Sequence, residues 1–573
     1  MSGLLKKFTV KIPEKACVDH KTGYVLLNTE YYRRNGHSDH KKLRIGKAVS
    51  PDPSKWREDR LMYPNDNYFI ERNEKPPLQP IDRRDFMFIG IYAVIKKLAK
   101  ESGLLKILYQ VFGDEDAALI LDLAMYMIAG KESAFQDFPI WARTHATFSS
   151  KIRGKSYISR FGQELSYGTI ENFKYLWAQH SIGRGKVFLC YDSTNINSQA
   201  EDATLVEYGH AKDNSKLPQV NAEYVIRQED CIPVAYSEFP GSVTDMVEAP
   251  SMIEFLKEVV EEDKSIKLKI VVIADRGYTS EDNVKNFDNA GLDCIVMLKK
   301  NFTAYKKLVS AYAEKLRNNI EYYLPSCNKF ATRHTTGWLN RTRYFHVIWD
   351  HERDVDARTA LLKEIHKQEE ELEKIVNERI RISKYEVKKY KTYFDLDADQ
   401  DGVIKSKKPD EKDKVGYRVS KVTRKSSVIN KAMRECAFRV IMSSCEMKPQ
   451  EAIEAYSKRD TIEKVFRTLK DRLDMGSIRV HSNEAIRSKM LIWFVAVILY
   501  LLLFNKTEKL RKTAKDKSDY DVSTMLAIIH DIIGLKYNTK NYKLHGVIEG
   551  KQMEILKALE ISEEEIKNEF ELF

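Results

Sequence analysis

The sequence predicts an α/β protein of several domains, and three observations support this. The chain has 573 residues, which is more than one hydrophobic core usually organises. Residues 184–300 contain apolar runs and amphipathic segments in the order β-β-β-α-β-α-β. Residues 86–180 and 451–474 instead space their apolar residues as helices do. A sheet with helices before and after it is therefore expected.

Two of the predicted strands end in an aspartate. KVFLCYD runs from Lys186 to Asp192, and KIVVIADRGY carries Asp275 directly after an apolar run. Both runs are typical of buried strands, and α/β sheets form their sites at the carboxyl ends of such strands. An aspartate in this position also commonly caps the following helix, so each one alone is weak support for a site. The remaining predicted elements are the strands QVNAEYVIR, CIPVAYSEF and DCIVMLK, a helix over 249–262 and a helix after Thr279.

The stretch from Glu451 to Asp474 is predicted to be one helix, since it contains neither Pro nor Gly. Helical rotation places four side chains within roughly 60° of one another. These are Tyr456, Arg459, Glu463 and Lys470. An adjacent apolar stripe consists of Ile462, Phe466, Leu469 and Leu473. The polar row fits a solvated face beside a core stripe, and it also fits a site where Glu463 binds a hard cation and the basic residues hold phosphates.

Together these residues resemble the DDE transposases of bacterial insertion sequences, in the branch with the signature Y-x2-R-x3-E-x6-K. Tyr456, Arg459, Glu463 and Lys470 fit that spacing at every position. YDST at Asp192 and ADRGY at Asp275 resemble the motifs of the family's first and second acids. The segments YGHAKD (208–213) and GSVTD (241–245) resemble two further family motifs, and the likeness spans roughly residues 100–510.

The resemblance implies an RNase H-like catalytic core with a two-metal site. Asp192, Asp275 and Glu463 would be the catalytic acids and would bind Mg²⁺, for which Mn²⁺ can substitute. Tyr456, Arg459 and Lys470 would contact DNA. The expected partners are the terminal inverted repeats and the target DNA, with a homodimer in the synaptic complex. The predicted function is cut-and-paste transposition of an insertion sequence by phosphodiester hydrolysis and strand transfer.

The predicted architecture is an RNase H-like core interrupted by an insertion domain, with helical N-terminal DNA-binding and C-terminal regions. Residues 301–436 would form the insertion, in which DLDADQDGVIKSKK (395–408) is expected to be an exposed turn. Some relatives stack an insertion-domain Trp on a flipped base, and Trp338 and Trp349 are the candidates here. The predicted domains are a small β-containing module (1–85), a helical DNA-binding region with a possible helix-turn-helix (86–183), the first segment of the core (184–300), the insertion (301–436), the second segment of the core with the Glu463 helix (437–505) and a helical C-terminal region (506–573).

Composition sets limits that agree with this interpretation. The formal net charge of +11 favours a polyanionic partner, although a mildly basic enzyme of another class would show the same charge. Seven scattered cysteines without a CxxC pair indicate neither a zinc site nor a disulfide framework. The uncharged run Met490–Phe504 is short for a membrane span and is predicted to be a buried helix. The N-terminal residues lack a signal h-region, so a cytoplasmic, nucleoid-associated protein without membrane contact is expected.

Two alternatives to a transposase are compatible with the sequence. One is a domesticated DNA-binding protein that no longer catalyses, although its acids are intact in the sequence. The other is a metal-dependent nuclease without strand transfer, which only the resemblance of the Y-R-E-K spacing disfavours. The sequence leaves open the terminal-repeat and target sequences and the chemistry of second-strand cleavage.

Overall fold

The computed structural model describes residues 9–34, 37–72, 74, 86–130, 134–209, 217–261, 268–404, 414–459, 463, 470–514, 520–536 and 542–571. The chain divides into two compact units, Met1–Phe86 and Met87–Phe573.

The first unit contains an antiparallel sheet of five strands in the order β1-β5-β4-β3-β2. Its small apolar core consists of Ile12, Val25, Ile45 and Met62. The β-structure predicted for this portion of the chain is confirmed. The elements are β1 (Val10–Lys11), β2 (Ala16–Val18), β3 (Tyr24–Arg34), β4 (His37–Ala48), α1 (Trp56–Asp59), β5 (Leu61–Pro64) and α2 (Asp66–Glu71).

The second unit is built on a ten-stranded mixed sheet in the order β12-β13-β14-β18-β11-β10-β7-β8-β9, with β19 paired to β7. β7 pairs antiparallel with β8, and β8 with β9, whereas β10 runs parallel to both β7 and β11. All five strands predicted in residues 184–300 are therefore present. The strands are β7 (Lys186–Ser198), β8 (Gln219–Arg227), β9 (Pro233–Pro240), β10 (Lys269–Ala274), β11 (Asp293–Met297), β12 (Tyr323–Leu324), β13 (Lys329–Trp338), β14 (Arg341–Trp349), β18 (Phe438–Ser443) and β19 (Ser477–Ile478).

Helices cover both faces of this sheet because its strands are apolar on both sides. The helices α8, α9 and α10 contribute to the core on one face, and a larger helical group contributes to the core on the other. The helices up to this point are α3 (Gly90–Glu101), α4 (Leu104–Gly130), α5 (Phe138–Trp141), α6 (Lys155–Glu164), α7 (Tyr167–Ser181), α8 (Asp245–Glu261), α9 (Glu281–Asn289) and α10 (Thr303–Asn318).

Residues 301–436, predicted as an insertion, contribute to two different structures. Their strands β12, β13 and β14 extend the main sheet through β18, while residues 351–434 have a small core of their own around Leu372, Phe394 and Val419. Residues 395–404 were expected to be an exposed turn. They instead form most of β16, which pairs with β17 through two irregularities in register near Asp397 and Gln400. The elements here are α11 (His351–Asn377), β15 (Ile382–Ser383), α12 (Lys384–Tyr390), β16 (Phe394–Ile404), β17 (Lys414–Arg424) and α13 (Ser426–Arg434).

A long apolar helix lies in the centre of the larger core. It runs from Asn483 to Lys506, begins at an N-cap in which Ser482 accepts a hydrogen bond from the backbone of Ala485, and packs on α3, α4, α6, α7 and β9. By length and composition it could cross a membrane, but most of it is buried inside the protein. The predicted buried helix is thus confirmed. In chain order it is α15, preceded by α14 (Pro449–Ser457).

The described part of the C-terminal region contains four helices and two strands, which join β6 in a small sheet of the order β21-β20-β6. The remaining elements are β6 (Phe86–Phe88), α16 (Glu508–Thr513), α17 (Val522–His530), β20 (Ile533–Lys536), β21 (Tyr542–His545), α18 (Gly550–Ala558) and α19 (Glu563–Glu571).

Candidate active site

The register of two parallel strands brings the first two predicted acids together. β10 pairs with β7 up to the partners Ala274 and Tyr191. The next residue along each strand is Asp275 and Asp192, respectively. Since parallel strands lie about 4.8 Å apart, successive residues on neighbouring strands start as neighbours. The two aspartates therefore meet where the parallel pairing ends.

Asp192 does not end its strand, contrary to the sequence prediction. β7 continues to Ser198 because its other edge pairs with β8 as far as Asn197 and Gln219. Only the pairing with β10 stops before Asp192, and β19 resumes pairing on that edge at Asn197. Asp192 therefore lies on the edge of β7 between the end of the pairing with β10 and the start of the pairing with β19.

The third predicted acid, Glu463, shares the side chain of Arg459 with the two aspartates. Arg459 Nη1 lies 2.7 Å from Glu463 Oε1 and 3.9 Å from Asp192 Oδ2, and its Nη2 lies 4.0 Å from Asp275 Oδ1. One guanidinium is thus within 4.0 Å of a carboxylate oxygen of all three predicted acids. Arg459 is only 8% exposed. Burial by itself lowers the pKa of Arg459, but Asp275, Tyr456, Glu463 and Asp192 outweigh it and raise that pKa overall.

Tyr456 and the backbone fix the orientation of the two aspartates. The Tyr456 hydroxyl donates to Asp275 Oδ1 at 3.1 Å, and the backbone N–H of Arg276 donates to the same oxygen at 2.7 Å. The backbone N–H of Ser193 donates to Asp192 Oδ1 at 2.9 Å. Burial, followed by the charge of Asp275, raises the pKa of Tyr456, so its phenol remains a proton donor near neutral pH.

Lys470 contacts β7 three residues beyond Asp192. Its Nζ donates to the backbone carbonyl of Asn195 at 2.9 Å. The predicted row of side chains therefore spans the open edge of β7, with Arg459 at the acids and Lys470 next to the point where β19 begins. Leu473, on the predicted apolar stripe, is buried. Ile462, Phe466 and Leu469 lie outside the described residues.

A groove of about 1000 Å³ opens at Asp275 and Glu463, and most of its cationic lining was not predicted from the sequence. Asp275, Tyr456, Arg459 and Glu463 belong to this lining. The other cationic side chains that line it are Arg276, Lys299, Lys300, Arg353 and Arg439. Only Arg276, inside the ADRGY motif, could have been identified from the sequence, since the others come from separate elements.

Asp350 organises a section of this cationic lining. It is 3% exposed and caps α11 by accepting from the backbone N–H of Arg353. Its carboxylate lies 3.1 Å from Arg439 Nη2, 2.9 Å from Lys329 Nζ and 3.7 Å from Arg353 Nε. Among the residues that line the groove, the Asp350 carboxylate thus faces Arg353 and Arg439, which leaves a positive excess. Lys329 lies outside this lining and also pairs with Glu352 at 2.9 Å.

The two glycine motifs that were recognised in the sequence approach each other closely at Gly209 and Gly241. A Cβ on Gly209 would lie 1.8 Å from the backbone oxygen of Gly241. A Cβ on Gly241 would lie 2.2 Å from the backbone oxygen of Gln219 and 2.4 Å from that of Glu207. These positions require glycine because three backbone segments approach closely there.

Another acid near Asp192, the buried Glu223, does not belong to the cluster. Glu223 lies opposite Ser193 in the β7–β8 pairing and accepts a hydrogen bond from the Tyr191 hydroxyl. Successive residues of a strand point to opposite faces, so Glu223 lies on the face away from Asp192. Burial raises the pKa of Glu223 to about 8, which favours the neutral acid.

The two tryptophan candidates have packing partners in the extended sheet. Trp338 packs edge-on against Phe345 with ring centroids 5.9 Å apart. Trp349 packs on Phe330 and lies under the guanidinium of Arg317, 4.6 Å from the ring centroid. These contacts account for both residues as components of the sheet's packing, and a role in base stacking stays a prediction.

The acid cluster suits a hard divalent cation by its chemistry. Three carboxylates surround one guanidinium, which leaves a negative excess of oxygen donors of the kind that Mg²⁺ prefers. Within the described ranges, no group of three His, Cys, Asp or Glu side chains is yet arranged to hold a metal ion.

Comparisons with known proteins address the family. Residues 183–499 match the family model described as "Transposase DDE domain". The cryo-EM structure of a piggyBac transposase synaptic complex with hairpin DNA matches with 9% sequence identity, covering 77% of this chain and 76% of that one, at a TM-score of 0.34. At this TM-score the likeness is too weak to assign the fold. No curated protein matches the sequence.

Proposed function

Because the chain belongs to the DDE transposase family and is a DNA transposase, we propose that it moves a bacterial insertion sequence by cut-and-paste transposition. The proposal includes the branch with the Y-R-E-K signature, whose four residues this chain carries at the right spacing. The five strands β9-β8-β7-β10-β11 would be the RNase H-like core, and residues inserted after β11 would form the insertion domain. Their order and directions support this assignment.

Asp192, Asp275 and Glu463 are the proposed catalytic acids. The observation that carries the proposal is their convergence on the guanidinium of Arg459, although they come from β7, the end of β10 and a distant helix. These three carboxylates would hold divalent ions, Mg²⁺ with Mn²⁺ as a substitute, which would supply activation of water or a 3′-hydroxyl and stabilisation of the leaving oxygen. Asp192 and Asp275 are held for this role by backbone N–H groups, and Tyr456 orients Asp275.

The remaining site residues are proposed to hold the DNA. Arg459 exchanges its carboxylate partners for a phosphate when the strand enters, and Tyr456 positions the strand by a hydrogen bond or by stacking. Lys470, next to Asn195, contacts the backbone further along the same edge. The other cations that line the groove give a polyanion a further contact surface.

Further elements of the proposal concern the assembly. The helical region of residues 86–183 recognises the terminal inverted repeats, and a homodimer forms in the synaptic complex with target DNA. The helices α6 and α7, joined through Leu165 and Ser166, support this region as a helix-turn-helix. The proposed location is the bacterial cytoplasm, at the nucleoid.

The substitution Asp275→Asn tests the proposed chemistry. It removes a negative charge and a metal ligand but keeps an oxygen that can accept from Tyr456 and Arg276. We expect cleavage of element-end DNA in Mg²⁺ to fall by at least about a thousandfold, equivalent to about 4 kcal/mol, while binding of the same DNA changes little. Asp282→Asn, on the exposed start of α9, is the matched control. Cleavage at the wild-type rate by Asp275→Asn would refute the assignment.

A further inference from the structure

A second cavity lies away from the groove of the acids. It has a volume of about 490 Å³, and none of its lining residues lines the groove. Its walls come from α6, from the first half of α15, from the segment Arg479–His481 and from the segment around Phe135. The volume is in the range of small-molecule sites and exceeds what a phosphate group alone would fill.

The floor of this cavity contains a buried lysine. Lys489 of α15 is 5% exposed, and within the described ranges no acceptor forms a hydrogen bond or an ion pair with its Nζ. The Nζ instead lies 5.5 Å from the ring centre of Phe135 and 5.6 Å from that of Trp493. Burial lowers the pKa of Lys489 to about 8; the charge of Asp474 opposes this shift and the charge of Arg479 adds to it. An ammonium that is buried without an anion is costly, so it indicates a ligand that compensates its charge.

The rest of the lining has the same electrostatic character. Lys155, Arg479 and His481 line the cavity and are exposed, whereas none of its lining residues is an Asp or a Glu. The hydroxyl of Ser488 is fully buried, and no hydrogen-bond partner is found for it among the described residues. The N-terminus of the 24-residue helix α15 borders the cavity through Ala485, and its dipole favours an anion as well.

We propose that this cavity binds a phosphate group. Lys489 Nζ and Ser488 Oγ bind it at the floor, and Lys155, Arg479 and His481 surround its entrance. The phosphate belongs either to a DNA backbone or to a free phosphate or nucleotide. Two connections favour a role alongside DNA: α6 is the first helix of the proposed helix-turn-helix, and Arg479 directly follows β19, which pairs with the strand of Asp192. No step of the proposed reaction requires this cavity.

Calorimetric titration of the full-length protein with inorganic phosphate tests the proposal. We expect one site per chain in the wild type and at least about a tenfold weaker affinity in Lys489→Met, which corresponds to about 1.4 kcal/mol. Lys489→Met keeps the length of the side chain and its contacts with Phe135 and Trp493. Lys512→Met is the matched control, because it removes one cation from an exposed helix outside the cavity.

A second variant keeps the test decisive if Lys489→Met fails to fold. Ser488→Ala removes only the buried hydroxyl, and we expect it to weaken phosphate binding several-fold without lowering the melting temperature. Equal phosphate affinity of wild type, Lys489→Met and Lys512→Met would overturn the proposal. So would unchanged affinity in Ser488→Ala together with an unfolded Lys489→Met, or the lack of any phosphate binding up to about 10 mM.

A competition measurement distinguishes the two sources of the phosphate. If the ligand is a DNA backbone, a duplex of about 30 base pairs from the element's end, long enough to span a few helical turns, displaces phosphate from wild type, and Lys489→Met binds that duplex more weakly. If the ligand is a free phosphate or nucleotide, phosphate and duplex bind together and Lys489→Met binds the duplex as wild type does. Both results require the cavity to bind phosphate, and they identify where it comes from.

Discussion

At the residue scale, the position of Arg459 between the acids could not be predicted from the sequence. Helical arithmetic predicted that Arg459 shares a stripe with Glu463, but only the register of β7 and β10 brings Asp192 and Asp275 to the same guanidinium. The acids were therefore predictable as candidates from their motifs. Their convergence depends on pairing between strands far apart in sequence, which local patterns do not encode.

The guanidinium of Arg459 and a divalent ion would compete for the same carboxylates. In Arg459→Gln we therefore expect Mn²⁺ to bind the DNA-free protein at least about ten times more tightly than in wild type, a gain of about 1.4 kcal/mol. Titration followed by the EPR signal of free Mn²⁺ measures this. Lys458→Gln removes the exposed cation next to it and serves as the control. Equal Mn²⁺ affinity in all three proteins would show that Arg459 does not compete with the ion.

At the element scale, the sequence predicted the five strands of residues 184–300 and the buried helix α15. A single helix was predicted over 451–474, whereas the described helix α14 ends at Ser457. The sequence missed the extension of the sheet by β12, β13 and β14, because these strands lie in a region that resembled an independent insertion. It also ended β7 at Asp192, since the run Asp192–Ser198 is polar although most of it is buried. Buried polar strands paired with their neighbours do not have the apolar signature on which strand prediction relies.

The orientation of the segment that carries Lys470 and Leu473 can be tested by two truncations. Lys470→Ala removes a charge-assisted hydrogen bond to Asn195 and should lower the unfolding free energy by about 1.5–3 kcal/mol. It should also slow cleavage of a pre-nicked substrate. Leu473→Ala removes a side chain that is 1% exposed and should cost about 2–5 kcal/mol, with little effect on cleavage where the protein stays folded.

Denaturant unfolding and single-turnover cleavage measure both effects on the same samples. A normal cleavage rate in Lys470→Ala together with a slow one in Leu473→Ala would mean that the segment presents its other side to the groove.

The close approach of backbone segments at Gly241 gives a second prediction at this scale. Gly241→Ala places a Cβ against the backbone oxygens of Gln219 and Glu207, so we expect a loss of at least about 1–3 kcal/mol of unfolding free energy. Gly337→Ala, whose Cβ would meet nothing within 4 Å, is the control and should change stability little. Differential scanning calorimetry compares the two. Equal melting temperatures of Gly241→Ala and wild type would contradict the close packing of these segments.

At the scale of the whole molecule, α15 connects regions that the sequence suggested were separable. The helical periodicity of residues 86–180 favoured a self-contained DNA-binding region, but α3, α4, α6 and α7 share their core with α15. A fragment that ends at residue 180 would expose this apolar surface to water. End binding is therefore best measured on the full chain.

Salt dependence on the full chain tests the proposed role of α6 in binding the element's ends. Arg160 is exposed on α6, so Arg160→Gln should lower the slope of log affinity against log salt concentration by about one, the contribution of one phosphate contact. Fluorescence anisotropy with element-end duplexes measures the slope. Lys512→Gln should leave it unchanged. Identical slopes for Arg160→Gln and wild type would remove α6 from the DNA-binding surface.

The central claim is that Asp192, Asp275 and Glu463 together bind the catalytic metal. The most direct test is anomalous diffraction from crystals of the protein bound to cleaved end DNA in Mn²⁺. We predict an anomalous peak within about 2.5 Å of carboxylate oxygens of these residues, the usual range for such ligands, with Arg459 moved from the carboxylates to a phosphate. A Mn²⁺ peak bound by other residues at the scissile phosphate, with these three carboxylates still around Arg459, would contradict the claim.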